Sequence, residues 1–146
     1  MAACNIYNEE HQQLLVKFFG TVTADDLEEQ AKLLASNAAI GSARRKCFSF
    51  LSATGFGPGI TLDKIRDVVA IMRESLKSGK GSKTAFVAPG EEVLGIALMF
   101  QECLKADETF GEVRVFTTKE EAIDWLGGGR AQWAQMREHV SKMCSL

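Results

Sequence analysis

One run near the C-terminal end of the chain constrains the fold more than any other: a short strand that hands over at once to a capped helix. Residues 112–116, Glu-Val-Arg-Val-Phe, are of the β-branched and aromatic types that suit a pleated strand. Thr118 and Glu121 have the spacing of a capping box, in which each side chain satisfies an unpaired backbone N–H of the first helical turn. The run predicts an α/β domain.

The rest of the chain repeats this alternation, because the period of its apolar residues switches between about two and about 3.6. The pattern predicts strands over residues 3–7, 12–22, 46–52, 84–88 and 112–116, and helices over 24–37, 61–76, 91–106 and up to Gly127. The order β-β-α-β-α-β-α-β-α predicts a mixed, mostly parallel sheet of four or five strands. It begins with an antiparallel hairpin, and helices pack on it.

Individual residues add local detail to this sheet. Leu14, Val16 and Phe18 alternate along the second strand and should share one face. Gly20 near the end of that strand indicates a bulge or a bend. The strand over residues 84–88 is so uniformly apolar that both of its faces are predicted to be covered.

Composition limits the classes of function. At 146 residues, 46% hydrophobic and 25% charged, the chain fits one globular domain with a sizeable core. A net charge of -2 and a pI near 5.7 provide no basic field for a phosphate backbone, which argues against nucleic-acid binding. No stretch approaches the ~20 apolar residues of a membrane span, and no basic and apolar leader opens the sequence. We therefore expect a cytoplasmic protein without stable membrane insertion.

The reactive residue types are scattered. The four cysteines lie far apart without a Cys-x-x-Cys pair, which argues against a zinc site and against a thioredoxin-type motif. Cys47 and Cys103 lie in apolar surroundings and are predicted to be reduced thiols packed as small hydrophobes. His11 and His139 fall at opposite ends of the chain. The sequence therefore predicts no catalytic residue, no metal and no cofactor; a cysteine enzyme would need a His or a cation beside one of these thiols.

A glycine-rich loop over residues 53–60 is the best local candidate for a binding site. It follows the carboxyl end of a strand, its glycines let the backbone approach a bound group, and it leads into a helix N-terminus that favours anions. The loop matches neither the dinucleotide-binding fingerprint nor the P-loop. The alternative to a binding role is a wide turn with Thr61 as the N-cap of the next helix. Phe56 should fold inward or meet a partner. The predicted ligand- or partner-binding residues lie in and around this loop: Ser52, Thr54, Gly55, Phe56, Gly57, Gly59 and Thr61.

The C-terminal tail reads as a separate amphipathic helix after a glycine hinge. Gly127, Gly128 and Gly129 divide the chain into a domain over residues 1–126 and a tail over 127–146. The tail's apolar residues fall on one side of a helix: Trp133, Met136, Val140 and Met143. This side is predicted to pack on the chain's own sheet or helices, or on a second subunit in a homodimer. Docking on a membrane surface is disfavoured because the tail has few basic residues.

Several of these segments together resemble one family. The hairpin, residues 20–27 entering the first helix, the strand over 84–88, and residues 112–116 leading to 121–126 resemble the SpoIIAA-like proteins of the STAS group, named for sulfate transporters and anti-sigma factor antagonists. The resemblance covers roughly residues 3–126 and leaves the tail outside. It implies a small α/β domain that acts as a regulatory or binding module, usually without an enzyme's chemistry.

The sequence departs from that family's pattern at the third strand. In related proteins this strand commonly carries an Asp, followed in the anti-sigma antagonists by a phosphorylatable Ser, whereas residues 48–52 contain no Asp. By position alone, Ser52, Thr54 and Thr61 are candidates for phosphorylation, because added negative charge would meet a helix dipole there. Ordinary cap and turn roles are the alternative for the same residues.

Two functions follow as hypotheses. The first is a non-catalytic regulatory or protein-binding module of STAS type that contacts its protein partner through the glycine loop and the helix over residues 61–76. The second is a binding protein for a small lipophilic ligand or lipid, held in an apolar pocket between sheet and helices. It is motivated by Leu98, Met99 and Phe100, which give their helix more apolar residues than one face can bury.

Overall fold

The protein forms one five-stranded sheet with helices on both faces, seen in a computed structural model that describes residues 3–37, 40, 43–73, 82–106 and 110–144. The strands are β1 (Ala3–Asn8), β2 (Gln13–Val22), β3 (Arg45–Phe56), β4 (Lys83–Val87) and β5 (Glu112–Phe116). The helices in these ranges are α1 (Ala24–Ser36), α2 (Leu62–Arg73), α3 (Glu91–Lys105), α4 (Lys119–Leu126) and α5 (Arg130–Cys144).

The strand order is β1-β2-β3-β4-β5, with β1 and β2 antiparallel and all later neighbours parallel. This topology confirms the predicted mixed, mostly parallel sheet with an opening hairpin. Each crossover connects a strand to its neighbour in the sheet, and every crossover moves toward the β5 edge. Because such crossovers are right-handed, their helices α1, α2 and α3 all lie on the same face of the sheet. The opposite face is left for the two helices that follow β5.

The face under α1, α2 and α3, which we call the crossover face, holds the larger core. Leu14, Val16 and Phe18 share it, as predicted. Its centre is a set of stacked phenylalanine rings. Centroid separations are 4.8 Å for Phe18–Phe50, 5.2 Å for Phe48–Phe86 and 5.5 Å for Phe86–Phe100. Offset stacking of this kind stabilises a core beyond its buried area.

The opposite face, which we call the terminal face, is covered by α4 and α5. The strands contribute Leu15, Cys47, Ala85 and Val87, and the helices contribute Ala122, Leu126, Trp133, Met136 and Val140. The apolar side of the tail therefore packs on the chain's own sheet, one of the two destinations predicted for it. The indole N–H of Trp133 donates to the Gly127 carbonyl at 2.8 Å, which ties α5 to the end of α4.

Gly127, Gly128 and Gly129 make the turn between these two helices. Their φ angles are +75°, +86° and +97°, a left-handed region that a residue with a Cβ adopts at a steric cost. The predicted separation of the chain into 1–126 and 127–146 remains a prediction. The contacts show only that α5 begins directly after this turn and packs across β1 and β2.

β3 is longer than predicted, because it continues to Phe56 instead of ending at Ser52. The last residues of β2 provide a pairing partner, with Gly20 opposite Ala53 and Val22 opposite Phe56. Gly20 lies between two register shifts and has a φ of +67°, which confirms the predicted irregularity. The glycine-rich composition of residues 53–60 predicted a loop, but pairing with the end of β2 makes residues 53–56 part of the strand.

Threonine side chains cap the starts of two helices. At α4, Thr118 Oγ1 accepts the Glu121 N–H, which is one of the two bonds of the predicted capping box. At α1, Thr23 and Asp26 form a reciprocal capping box. α2 is described as far as Arg73, so its predicted extension to Leu76 lies outside the described residues. β4 is buried on both faces, as predicted. Among the described helices, none combines the length and apolar composition needed to cross a bilayer.

Candidate functional site

The predicted binding loop is a strand end followed by a short turn, which we call the β3 rim (residues 52–61). Ser52, Thr54, Gly55 and Phe56 lie on β3, Gly57 and Gly59 lie in the turn, and Thr61 directly precedes α2. The structure keeps them together as one continuous segment at the carboxyl end of the parallel strands. A ligand role for these residues remains a prediction.

The turn has the geometry expected of an ordinary connection to α2. The Gly57 N–H donates to the Val22 carbonyl at 2.8 Å, which extends the β2–β3 pairing by one bond. Gly59 has a φ of +90°. Thr61 Oγ1 accepts the Lys64 N–H at 3.2 Å and so acts as the N-cap of α2. These contacts confirm the predicted capping role of Thr61, whereas the turn is shorter than predicted because β3 continues to Phe56.

Phe56 takes the first of its two predicted roles, since its ring turns inward. It packs at 5.7 Å from the ring of Phe50, at an interplanar angle of 54°, and joins the crossover core as a partly buried residue. The aromatic side chain of the rim is therefore held by the protein itself.

β3 extends beyond its neighbour β4. Pairing with β4 covers Arg45–Ser49, whereas pairing with β2 continues to Phe56. Over residues 50–56, the edge of β3 that faces away from β2 therefore has no paired strand within the described ranges. Thr54 is skipped in the β2 pairing and is exposed. The rim thus presents a short open strand edge, which is a template for pairing with another chain.

A second candidate site, not predicted from the sequence, lies on the terminal face between α4 and α5. It is a cavity of about 260 Å³, which we call the terminal-face pocket. Apolar lining comes from Leu15, Cys47, Leu51, Val87, Ile123, Trp133 and Val140. Polar lining comes from Lys17, Ser49, Ser52, Lys119, Arg137 and Ser141. The pocket therefore combines an apolar floor with cations and hydroxyl groups.

The charged side chains that line this pocket are all positive, because none of its described lining residues is an Asp or a Glu. Lys119 Nζ approaches the carboxylate of its neighbour Glu120 at 4.0 Å, the outer limit of an ion pair. Lys17 and Arg137 form no ion pair with any carboxylate of the described residues. Three cations from three different elements thus converge without a matching set of anions.

Cys47 on the pocket floor is a neutral thiol. Burial raises its pKa to about 12, and the charge of Arg137 opposes that shift only in part. Cys47 and Cys103 are free thiols, as predicted. A reactive cysteine requires a lowered pKa, so Cys47 lacks the property that an enzyme of this class would need. Within the described ranges, no three His, Cys, Asp or Glu side chains are placed to hold a metal ion.

The lipophilic-ligand hypothesis placed an apolar pocket between sheet and helices. On the crossover face the cavity among the phenylalanine rings measures about 20 Å³, room for about one water molecule. Leu98, part of the apolar surplus on α3, is 44% exposed and points away from the core. The terminal-face pocket, on the opposite face, is larger and partly polar. Two hollows of greater volume lie at the edges of the helical layers, one of about 510 Å³ between α2 and α3 and one of about 410 Å³ beside β1 and α1.

A sequence signal for the terminal-face pocket existed in the alternation of two strands. Leu15 and Lys17 share the face of β2 opposite Leu14 and Val16, and Ser49 shares that face on β3. On one face of a strand, a change from an apolar to a polar residue indicates where the helices stop covering that face. The tail provides the other part of the signal, because Arg137 follows Trp133 by one helical turn and so lies beside it on the same side of α5.

Comparison with known proteins gives the fold and not the role. No protein family profile and no curated protein matches the chain. Its structure is similar to the anti-sigma factor antagonist SpoIIAA in its unphosphorylated form, with a TM-score of 0.50 and 15% identity over 85% of this chain and 96% of that one. It is also similar to an uncharacterised DUF3478-family protein with a SpoIIAA-like fold from Shewanella loihica PV-4, with a TM-score of 0.45 and 22% identity over 86% and 93% of the two chains. The chain has a SpoIIAA-like, STAS-related α/β fold, as its sequence resemblance implied.

Proposed function

We propose that the protein is a non-catalytic regulatory module that binds a partner protein at the β3 rim. The observation that carries this proposal is the open edge of β3 over residues 50–56. The fold supports it, because the similar protein SpoIIAA is an anti-sigma factor antagonist. Likeness of fold alone leaves the partner unidentified.

The open edge favours recognition by strand addition. In this mode an extended segment of the partner pairs with the exposed backbone, and side chains beside the edge provide specificity. Two exposed leucines flank the rim, Leu51 on β3 at 40% and Leu62 at the start of α2 at 39%. Both are available as apolar contacts for a partner without any rearrangement of the core.

Phosphorylation of the rim is a further part of the proposal that rests on position. Thr54 is exposed on the open edge, and Ser52 is partly buried beside the terminal-face pocket. Thr61 already uses its hydroxyl as the cap of α2. A phosphate on Thr54 would add negative charge to the edge and so oppose pairing with an acidic partner strand.

The experiment compares affinity purification from the source cells with three baits. Thr54→Lys puts a charge on the open edge, which is how natural sheets block strand addition. Thr21→Lys is the matched control, because Thr21 is also exposed but lies on β2, away from that edge. We expect a protein captured by the unmodified chain and by Thr21→Lys, but at least about tenfold depleted with Thr54→Lys.

The captured protein is then purified and titrated against the same three chains. A matching loss of affinity for Thr54→Lys alone supports the proposal. Equal affinity of all three chains would place the contact elsewhere and contradict it.

A homodimer through the tail, and a cytoplasmic location, stay predictions. Trp133, Met136 and Val140 are buried within the chain, which leaves Met143, 46% exposed, as the apolar residue of that side still open to a second copy. Sedimentation of the full chain tests the dimer directly: a monomeric mass at high concentration would contradict it.

A further inference from the structure

We propose that the terminal-face pocket binds a small organic anion with an apolar body, of the carboxylate class. The pocket has cations at its sides, which would contact the charged group of such a ligand, and an apolar floor, which would contact its hydrocarbon body. This site lies apart from the backbone edge of the β3 rim, although Leu51 and Ser52 belong to the lining of the pocket.

The charge distribution argues for an anion. The whole chain carries more acidic than basic residues, 19 against 17. Lys17 from β2, Lys119 from α4 and Arg137 from α5 nevertheless meet around one cavity that no carboxylate lines in the described part of the chain. Like charges gathered in this way repel one another, so a bound anion lowers the free energy of the arrangement. An Arg beside two Lys side chains also provides the donors that a carboxylate accepts.

The lining below these cations argues for an apolar body. Leu15 and Val87 come from the sheet, Ile123 from α4, and Trp133 and Val140 from α5. A simple inorganic anion would leave these groups in contact with water, whereas a hydrocarbon chain would bury them. The hydroxyl of Ser49 already accepts the Leu51 N–H at 3.4 Å, so it is partly satisfied by the protein.

The volume limits the size of the ligand. At about 260 Å³ the cavity falls just below the ~300–1,000 Å³ of pockets that hold drug-sized molecules. A long-chain lipid does not fit within it. A carboxylate with a short alkyl or aryl body does.

Octanoate, octylammonium and acetate form a matched set of probes for calorimetric titration of the full chain at neutral pH. Octylammonium keeps the alkyl chain and reverses the charge, and acetate keeps the charge and lacks the chain. We expect saturable binding of octanoate, with the other two at least about tenfold weaker. Equal binding of octanoate and octylammonium would overturn the role of the cations, and equal binding of octanoate and acetate would overturn the role of the floor.

Substitutions locate the site. Arg137→Gln and Lys17→Gln should each weaken octanoate binding about five- to tenfold, because each removes a charge that lines the pocket. Arg66→Gln is the matched control, since Arg66 is exposed on α2, pairs with Asp63 and lies on the crossover side. Thermal unfolding of each variant checks that it folds.

The results separate cleanly. Loss of binding in the two pocket variants with retention in Arg66→Gln supports the proposal. Octanoate that fails to bind at millimolar concentration, or that binds all folded variants alike, contradicts it.

Discussion

The two faces of the sheet are covered by different means, and the difference shows on which face a cavity remains between the central strands and the helices that cover them. On the crossover face, stacked phenylalanine rings leave a cavity of about 20 Å³. On the terminal face, α4 and α5 leave one of about 260 Å³ with three cations around it. The crossover helices are forced onto one face by the handedness of their connections, whereas the other face depends on segments added after the sheet is complete.

β3 shows the contrast within a single strand. Phe48 and Phe50 point into the crossover core. The residues that alternate with them, Cys47, Ser49 and Leu51, line the terminal-face pocket. Side chains of one strand alternate between faces, so neighbouring residues serve different purposes. Substitutions of neighbours on β3 therefore test the comparison.

The largest effect is expected for Phe50→Ala. Phe50 is 1% exposed and stacks on Phe18, so its truncation leaves a cavity in a core that is already filled. We expect a loss of about 3–5 kcal/mol in the free energy of unfolding, measured by urea denaturation. Leu51→Ala is the matched control on the next residue, and because Leu51 is 40% exposed the loss should stay below about 1 kcal/mol. Similar losses for the two variants would remove the distinction between the faces.

A smaller effect is expected from pH at Lys46, which is 2% exposed and donates to the Ala43 carbonyl. Burial lowers its pKa from 10.5 to about 8. Above pH 8 the unfolded chain therefore binds more protons at this residue than the folded chain does, and stability rises with pH until about 10.5. Between pH 7 and 9.5 the rise from this group amounts to about 2 kcal/mol.

Lys46→Met tests this sign, because it removes the titrating group and keeps the length of the side chain. We expect the free energy of unfolding of the unmodified chain, relative to that of the variant, to increase as the pH rises from 7 to 9.5. The shift at Cys47 has the opposite sign but is present in both chains, and consecutive side chains of β3 point to opposite faces, so we expect it to cancel in the difference. Parallel stability curves would show that Lys46 is not desolvated.

The smallest effect is expected for Trp133→Phe on the terminal face. The change removes the indole N–H that donates to the Gly127 carbonyl and leaves an aromatic ring in place. We expect a loss of about 1–2 kcal/mol in the free energy of unfolding. Trp125→Phe is the control, since Trp125 is only partly buried and packs beside Phe116. A loss at Trp133 no greater than at Trp125 would show that this bond does not hold α5 in place.

The sequence predicted the parts of the fold that depend on local patterns. Thr118 was predicted as the cap of a helix, and the uniformly apolar run at residues 84–88 was predicted as a strand covered on both faces. Gly20 marked an irregularity that the register shifts confirm. In each case the deciding interactions lie within a few residues of one another, so the pattern was visible along the chain.

The parts that the sequence did not reveal depend on distant neighbours. β3 reaches Phe56 because Thr21 and Val22 of β2 pair with it. The pocket unites Lys17, Lys119 and Arg137, which come from separate elements and meet only because α4 and α5 fold back on the sheet. Alternation showed which face each strand residue occupies, but not which helix would cover it.

Methyl NMR during titration with octanoate tests the central claim most directly, because one set of spectra reports on both faces. The account predicts saturable shifts for Leu15, Val87, Ile123 and Val140, which line the terminal-face pocket, and unchanged signals for Leu27, Leu34 and Val68 in the crossover core. Shifts centred on the crossover core, or spread evenly over both faces, would contradict it.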